Sequence, residues 1–397
     1  MGRFFIGAAK VLAGIMLLAL IAVALFSPAW AARPQDVKVA SFTPIPTATA
    51  APAAAAETPA AVTPTPAPTA TPSPTPEPTP TPEPTPIVYT ISMVGDCTLA
   101  SYPEIKHWDS SIENVVNGNW AYPFSHTADI FKADDLTIVN LECSISDLTA
   151  YSGSTFSFLA PAAATEILTS GGVEAATMAN NHAMDFGQQV YDDTAANLDA
   201  AGIAHCGDGQ GIIYTTESGL TVGIYATYNG HWPQAAVVAQ GVSELKSQGA
   251  EVVVVCAHWG EEASYYANGS QAEVAHAAID AGADIVVGHG PHRLQRYEEY
   301  GAGVIFYSVS NFVFGGNTAP EDMDTVIAQV MFERSLDGVL SLKATKAIPC
   351  RISSRADIND YCPTMLEEGT AEYDRAMSKV DGTWNGANPK IDYSFMH

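Results

Sequence analysis

Short β-branched runs alternate with helix-like stretches over residues 87–347, and this alternation narrows the possible folds more than any other feature. Such alternation is typical of α/β proteins with a largely parallel sheet. The predicted strands are Ile87–Val94, Leu136–Leu141, Ala175–Met178, Thr221–Tyr225, Val252–Cys256, Ile285–Val287 and Val304–Tyr307. The predicted helices are Ser125–Ala133, Ala162–Ser170, Gln188–Ala201, Ala235–Ser247 and Gln271–Ala281. The sequence therefore predicts an α/β domain.

The last part of the chain departs from this alternation. Two predicted strands, Thr325–Phe332 and Gly338–Ala347, follow each other without a helix. We expect them to pair antiparallel, either at a sheet edge or in a second sheet. The domain is predicted to end near residue 349, and residues 350–397 are predicted to be an irregular extension that packs on it.

The first 86 residues also stand apart from the α/β pattern. Basic residues precede an apolar run, Val11–Phe26, in the charge order of a signal peptide or a signal anchor. Residues 1–32 are therefore predicted to be either a cleaved peptide or an uncleaved membrane anchor. Residues 33–86 are almost only Pro, Thr and Ala, which favours an extended, polyproline-like linker. Both alternatives place the domain outside the cytoplasm, at the outer face of the membrane, in the cell wall or in the medium.

The charge of the chain excludes some partners. It has 43 acidic and 17 basic side chains, a formal charge of −26, and residues 1–90 hold four of each sign. The excess negative charge therefore belongs to residues 91–397, and it repels phosphate backbones and anionic lipid headgroups. We expect no nucleic-acid partner, and contact with a membrane only through the N-terminal segment, if that is uncleaved.

Polar side chains able to bind metal ions directly follow six of the predicted strands. Ligands bind at the carboxyl ends of strands in open α/β sheets. Six strand ends with oxygen or nitrogen donors are improbable as unrelated turns, so we predict one shared site. The strand-end residues are Asp96; Asn140 and Glu142; Asn180, Asn181, His182 and Asp185; His258 and Glu261; His289 and His292; and Asn311.

The donors in this set are carboxylates, amides and imidazoles, with no thiolate required. Such ligands suit divalent Mn, Fe or Zn. One ion, or two ions about 3.5–4 Å apart, would polarise a substrate oxygen and activate water. The sequence thus predicts hydrolytic chemistry at an anionic or carbonyl centre.

These motifs resemble those of the capsule-synthesis CapA family, also called the poly-γ-glutamate biosynthesis CapA proteins, over about residues 88–335. The resemblance implies a calcineurin-like metallophosphatase fold, a four-layer α/β/β/α sandwich with two central mixed sheets. It also implies an extracytoplasmic protein in the synthesis or export of poly-γ-glutamate, with the polymer or its carrier and membrane synthase subunits as partners. The motifs are Val94-Gly95-Asp96, Asn140-Leu141-Glu142, Asn180-Asn181-His182, His258-Trp259-Gly260-Glu261, Gly288-His289-Gly290-Pro291-His292 and Ser310-Asn311-Phe312.

The resemblance also implies roles for individual residues. Glu142 would be the bridging carboxylate, and His182 would protonate a leaving group with Asp185 as its orienting partner. Arg293 is the only basic side chain immediately beside the motif, which makes it the candidate for neutralising a substrate anion. The implied metal ligands are Asp96, Glu142, Asn181, His258, His289 and His292. The implied substrate contacts are Asn180, Glu261, Arg293 and Asn311.

Four features depart from the usual phosphoesterase pattern. Thr98 stands where a second ligand, histidine, is usual after Asp96. Glu142 replaces an aspartate, and Ser310 replaces the glycine before Asn311. The usual Gly-His-x-His is stretched by one residue to His289 and His292. Several functions therefore stay open: a metal-dependent hydrolase of phosphoesters or γ-glutamyl amides, a cell-wall metallophosphoesterase, or a non-catalytic subunit that binds or assembles the polymer.

The cysteines and the remaining histidines predict little chemistry. Cys97, Cys143 and Cys256 fall in or beside predicted buried strands, where a small apolar role is the simpler interpretation. Cys350 and Cys362 are the best candidates for a disulfide. The histidines predicted to lie on the surface or in loops are His107, His126, His205, His231 and His276.

Overall fold

The computed structural model describes residues 85–389. The predicted signal segment, residues 1–32, and nearly all of the predicted linker, residues 33–86, lie outside the described residues. Within residues 85–389, no helix combines the length and the apolar character needed to cross a membrane.

The described chain alternates strands with helices, as the sequence predicts. The helices are α1 (Ile112–Val116), α2 (Ala128–Phe131), α3 (Thr165–Gly171), α4 (Gln188–Ala200), α5 (Ala235–Ser247), α6 (Gly269–Asp280) and α7 (Ala371–Val380). The strands are β1 (Ile87–Thr98), β2 (Leu136–Leu141), β3 (Ser144–Ile145), β4 (Leu159–Ala160), β5 (Ala175–Thr177), β6 (Ala204–Cys206), β7 (Gln210–Thr215), β8 (Thr221–Thr227), β9 (Val252–His258), β10 (Ile285–His289), β11 (Tyr297–Tyr300), β12 (Gly303–Phe306), β13 (Asn311–Phe314), β14 (Asp324–Arg334), β15 (Leu340–Arg351) and β16 (Thr364–Met365).

The first sheet has eight strands, in the order β16-β15-β14-β1-β2-β5-β6, with β13 also paired to β1. Strands β1, β2, β5 and β6 run parallel. Strand β14 is antiparallel to β1, and β15 is antiparallel to β14. The antiparallel pair predicted near the end of the chain is thus confirmed, and it completes the first sheet.

The second sheet has six strands, in the order β11-β12-β10-β9-β8-β7. Its four inner strands are parallel, and the two outer strands, β11 and β7, are antiparallel to their neighbours. Strands β3 and β4 form a separate short pair. The protein is therefore a mixed α/β protein with two main mixed sheets.

Three apolar clusters hold the sheets and helices together. The first lies between the sheets, where Ile91 of β1 and Ile138 of β2 pack in one cluster with Val254 of β9. The second joins the first sheet to α3 and α4, and the third joins the second sheet to α5 and α6. Both sheets are thus covered on both faces, which explains why their parallel strands are continuous apolar runs.

The C-terminal region corrects one prediction. Residues 350–397 are predicted to be irregular, but α7 occupies Ala371–Val380. Lys379 of α7 is buried, with Nζ 2.6 Å from Asp322 Oδ2 and 2.7 Å from Asp324 Oδ2. Only Ala376, Lys379 and Val380 of α7 are buried, so few apolar residues mark this helix in the sequence.

The disulfide considered for Cys350 and Cys362 is wrong, since both residues are free and buried in the described structure. The Cys350 thiol lies 3.5 Å from the carbonyl oxygen of Ile348, and Cys362 Sγ lies 3.3 Å from Ser125 Oγ. Each sulfur therefore has a different neighbour.

The predicted helix Ser125–Ala133 is shorter in the structure, where α2 spans only Ala128–Phe131.

Candidate metal centre

The predicted ligands meet where the carboxyl ends of the two sheets come together. The strand register sets Asp96 beside Asn140 of β2, and it sets His258 beside His289 across β9 and β10. The first sheet and the loops after its strands supply Asp96, Glu142 and Asn181, and the second sheet supplies His258, His289 and His292. The centre is thus shared between the sheets.

Asp96, Glu142 and His292 form the tightest group. One ligand atom from each lies within 4.8 Å of the others. His292 Nδ1 is 3.2 Å from Asp96 Oδ2, and its Nε2 is 3.9 Å from Glu142 Oε1. Both carboxylates are buried, and the His292 side chain is 19% exposed. Two carboxylates and an imidazole that converge in this way suit a divalent cation.

Buried ligand atoms around this group have no hydrogen-bond partner among the described residues. Leaving a buried polar atom unpaired costs about 1–3 kcal/mol, so several at one place call for a missing partner. Each of these atoms belongs to a predicted metal ligand, and a cation bound at the centre would give it a partner. The residues therefore fit a metal ion. The unpaired atoms are Glu142 Oε1, Asn181 Oδ1, His258 Nε2 and His289 Nδ1.

Asn140, to which sequence analysis assigned no role, links several residues of the centre. Its Nδ2 donates to Asp96 Oδ1 at 2.8 Å and lies 3.2 Å from His258 Nδ1. Its Oδ1 accepts a hydrogen bond of 3.0 Å from Asn180 Nδ2, which also donates to the carbonyl oxygen of Leu141 at 2.8 Å. Asn180 is thus buried behind the ligands, where it supports Asn140. A buried amide inside an apolar strand was the signal for Asn140.

Two further contacts orient histidine ligands. His289 Nε2 lies 3.1 Å from the carbonyl oxygen of Val94, which leaves Nδ1 as the free nitrogen. His292 Nδ1 lies 2.7 Å from Oδ1 of Asn311, a residue predicted to contact substrate and here buried against the ligand. A contact to one ring nitrogen of this kind fixes which nitrogen can bind a metal.

Burial and charge shift the pKa values of the ligands. Burial opposes ionisation of Asp96, but the hydrogen bond and charge of His292 hold its pKa below the usual range. Burial and the Asp96 charge raise the pKa of Glu142 to about 7. Burial disfavours protonated His292, but Glu142 and Asp96 raise its pKa to about 10. Burial lowers the pKa values of His258 and His289, so their rings stay neutral, as metal ligands require.

His182 lies beside the centre together with its predicted partner. Its Nδ1 is 3.0 Å from Asp185 Oδ2, which also accepts the backbone N–H of Phe158 at 3.1 Å. The Phe158 ring packs edge-on against the imidazole, with centroids 4.7 Å apart. Burial opposes protonation, but the hydrogen bond to Asp185 and the charge of Glu142 raise the pKa of His182. An imidazole that is held in place and has a raised pKa can act as a general acid.

Arg293 is already paired within the fold. Its Nε lies 3.9 Å from Asp322 Oδ2, and Nη1 donates to the carbonyl oxygen of its neighbour His292 at 2.8 Å. The guanidinium also lies 5.9 Å from the ring centroid of Tyr265. Its predicted contact with a substrate anion stays a prediction, and the Asp322 carboxylate opposes it.

The loop after β9 carries two neighbouring carboxylates, Glu261 and Glu262, and the charge of Glu262 acts on ligands of the centre. Glu261, the predicted substrate contact, is exposed, and its role stays a prediction. Glu262 is close enough to act on the pKa values of Glu142 and His292. Glu261 belongs to the motif and Glu262 does not, and only the path of the loop brings the Glu262 charge near the ligands.

His231, predicted to lie on the surface or in a loop, lies partly exposed in the turn after β8, beside a ligand of the centre. Its ring centroid is 5.6 Å from that of His258. It follows β8 by four residues, just as the recognised site residues follow their own strands. That position after a strand was the signal that could have found it.

The arrangement defines a class of protein, a mixed α/β protein with a candidate metal centre at the carboxyl ends of two sheets. A family model described as "Bacterial capsule synthesis protein PGA_cap" matches residues 90–316. The chain belongs to this family, and the resemblance stated from its motifs is confirmed.

The chain is similar to two relatives whose names refer to capsule or PGA biosynthesis. It is 31% identical to the PGA biosynthesis protein CapA of Bacillus subtilis (strain 168) over 250 residues, 57% of this chain and 63% of that protein. It is 28% identical to the capsule biosynthesis protein CapA of Bacillus anthracis over 253 residues, 57% and 59% of the two chains. The chain thus spans about three fifths of the length of these relatives. Among solved structures, it is similar to the NAD nucleotidase of Haemophilus influenzae, with a TM-score of 0.37 and 11% identity. The match covers 75% of this chain and 63% of the nucleotidase chain.

Proposed function

We propose that the protein acts outside the cytoplasm in the synthesis or export of a poly-γ-glutamate capsule. Membership of the capsule synthesis family and the names of the two Bacillus relatives support this. Residues 1–32 would direct export, and would anchor the chain to the membrane if uncleaved. Residues 33–86 would hold the domain away from the membrane, and the partners would be the polymer or its carrier and membrane synthase subunits.

We infer that the centre is a metal-dependent hydrolase site, and the unpaired buried ligand atoms are the observation that carries this inference. One or two divalent ions, Mn, Fe or Zn, would supply Lewis-acid polarisation of a substrate oxygen. The layering of helices and sheets around three apolar clusters supports the four-layer metallophosphatase arrangement. The residues that would hold the ions are Asp96, Glu142, Asn181, His258, His289 and His292.

His182 would transfer the proton in this reaction. Asp185 holds its Nδ1, so Nε2 is the nitrogen left to protonate a leaving group. Leaving groups that need a proton include the alcohol of a phosphoester and the amine of a γ-glutamyl amide. These two bond types are the proposed substrates.

A non-catalytic subunit that binds or assembles the polymer is the second candidate. Thr98, at a position where phosphoesterases carry a ligand, donates instead to Glu142 Oε2 at 3.4 Å. The centre therefore has one ligand fewer at this position. The charge of −26 would repel an anionic polymer unless cations lie between them.

Metal content is the first test. Elemental analysis of the purified protein is expected to find one or two equivalents of Mn, Fe or Zn. Asp96→Ala and His289→Ala each remove a ligand and should lower the content at least about tenfold at limiting metal. His205→Ala is the control, because His205 pairs with Asp199 at 3.1 Å outside the centre.

A folded wild-type protein that takes up none of these metals would contradict the proposal. A wild-type protein that holds the metal but cleaves neither phosphoesters nor γ-glutamyl amides would favour the non-catalytic subunit.

A further inference from the structure

The turn after β8 holds a histidine in a strained backbone conformation. Asn229, Gly230 and His231 follow one another with φ values of 40°, 65° and 68°. All three lie in the left-handed region, which costs a residue other than glycine about 1–2 kcal/mol and is normally visited by single residues. Strain of this kind persists only where surrounding contacts impose it, and it is concentrated at functional sites.

Hydrogen bonds impose this conformation from outside the centre. Asp208 Oδ1 accepts the backbone N–H of Tyr228 at 2.7 Å, and its Oδ2 accepts that of Asn229 at 3.2 Å. Asn229 Nδ2 donates to the carbonyl oxygen of Trp232 at 2.9 Å. None of these residues is a predicted ligand, so their contacts serve the turn itself. We call residues 228–232 the His231 turn.

The His231 turn presses an imidazole against a metal ligand. The rings of His231 and His258 have centroids 5.6 Å apart. Tyr228 packs edge-on against both rings, at 4.9 Å from His231 and 5.6 Å from His258. Nδ1 of His231 is buried and has no partner among the described residues. The strained turn thus places an imidazole with one unpaired nitrogen beside the ligand His258.

That nitrogen is better placed for substrate than for the ion. His231 is partly exposed, whereas the ligands His258 and His289 are buried, so its ring lies on the outer side of the centre, where a substrate would enter. Nε of Arg293, the basic residue after His292, lies 3.9 Å from Asp322 Oδ2, so this guanidinium is already engaged. The unpaired nitrogen of His231 is a donor available to an oxygen of a substrate bound at the centre.

We propose that His231 contacts the substrate, with Nδ1–H donating a hydrogen bond to an oxygen of the phosphoryl or carboxyl group bound at the centre. The inference rests on the proposed metal site and extends it to the recognition of an anionic oxygen. His231 is assigned no proton transfer. Asp208 is a positioning residue, since it acts through the turn.

Inorganic phosphate serves as the probe, and calorimetric titration of the full-length, Mn-loaded protein measures its Kd. We expect His231→Ala to weaken phosphate binding about tenfold or more, the effect of losing a hydrogen bond to a charged group. The bound Mn should not change. His231→Asn is the matched variant, because asparagine tolerates left-handed φ and its amide nitrogen can replace Nδ1. It should keep the Kd within about threefold of wild type.

The outcomes separate this inference from the proposed function. If His231→Ala binds phosphate as wild type does, or if the Mn-loaded wild type binds no phosphate, the inference is overturned and the metal site stands. Loss of Mn in folded His231→Ala would make His231 a ligand and would also overturn the inference. A wild-type protein without Mn would overturn the proposed function and this inference together.

Discussion

The imidazole of His182 is held by one carboxylate and one aromatic ring, and this makes its role testable at the scale of a single residue. His182→Ala is expected to lower kcat on a phosphodiester or γ-glutamyl anilide by about 10²–10⁴-fold, the usual contribution of a general acid. Metal content should stay at the wild-type level. Steady-state kinetics with parallel elemental analysis measures both.

His276→Ala is the control for this prediction, because His276 stacks on Tyr300 at 3.8 Å, away from the centre. A His182→Ala protein that retains full activity would remove the general acid from the proposed mechanism.

The donors of the centre could be predicted from the sequence, but the residues that support them could not. Asp96 and His289 stand directly at strand ends, where position alone indicates a site. Asn140 and His231 act through partners distant in sequence, such as His258 at 118 positions from Asn140. Such contacts depend on how the two sheets pack, which cannot be read from a local sequence motif.

At the scale of elements, the centre depends on a close approach of β1 to β13. A Cβ built on Gly95 would lie 2.2 Å from the carbonyl oxygen of Ser310 and 2.7 Å from the carbonyl carbon of Asn311. The carbonyl oxygen of Ser310 also accepts a hydrogen bond of 3.0 Å from the backbone N–H of Asp96. Ser310 itself has a φ of 66°, which explains why glycine is usual at this position.

Gly95→Ala should therefore force β1 and β13 apart and lower the free energy of unfolding by about 3 kcal/mol or more. Urea unfolding followed by circular dichroism measures the change. Gly269→Ala is the matched control, because Gly269 begins α6 with nothing within 4 Å of the added Cβ. If Gly95→Ala is as stable as Gly269→Ala, the strands do not approach as described.

The sequence predicted the buried parallel strands and missed most of the short or half-exposed ones, among them β7, which has six residues at the edge of the second sheet. Parallel strands such as β2 and β9 are buried on both faces and form continuous apolar runs. The short strands β3, β4 and β16 have two residues each, too few for any periodicity. Helix α7 was missed for a different reason, since one of its three buried side chains is the charged Lys379.

At the scale of the whole molecule, these ion pairs attach the C-terminal helix to the first sheet. Lys379→Met would remove the buried ammonium group shared by Asp322 and Asp324, while Arg375 Nη2 would still pair with Asp324 Oδ1 at 2.6 Å. We therefore expect the free energy of unfolding to fall by about 3 kcal/mol, the lower end for a broken buried ion pair. Lys343→Met is the matched control, because Lys343 pairs with Glu333 on the surface. It should cost less than about 1 kcal/mol.

The same attachment predicts a pH dependence. Burial opposes ionisation of Asp322, but Lys379 holds its pKa below the usual range. A lowered pKa in the folded state adds stability that is fully present above about pH 4 and is lost as the pH falls through the folded pKa. Urea titrations at pH 7 and pH 3 should show a smaller difference for Lys379→Met than for wild type. An equal difference would remove this pair as a source of acid sensitivity.

The order of the strands along the chain also sets the order in which the domain can be completed. Strand β1 carries Asp96, yet its partners β13 and β14 come from residues 311–334, after the whole second sheet. A chain that emerges from its amino end would therefore hold β1 with one edge unpaired until almost all of the domain had appeared. The last segments to arrive close the first sheet beside Asp96, so the centre would be among the final parts of the molecule to take shape.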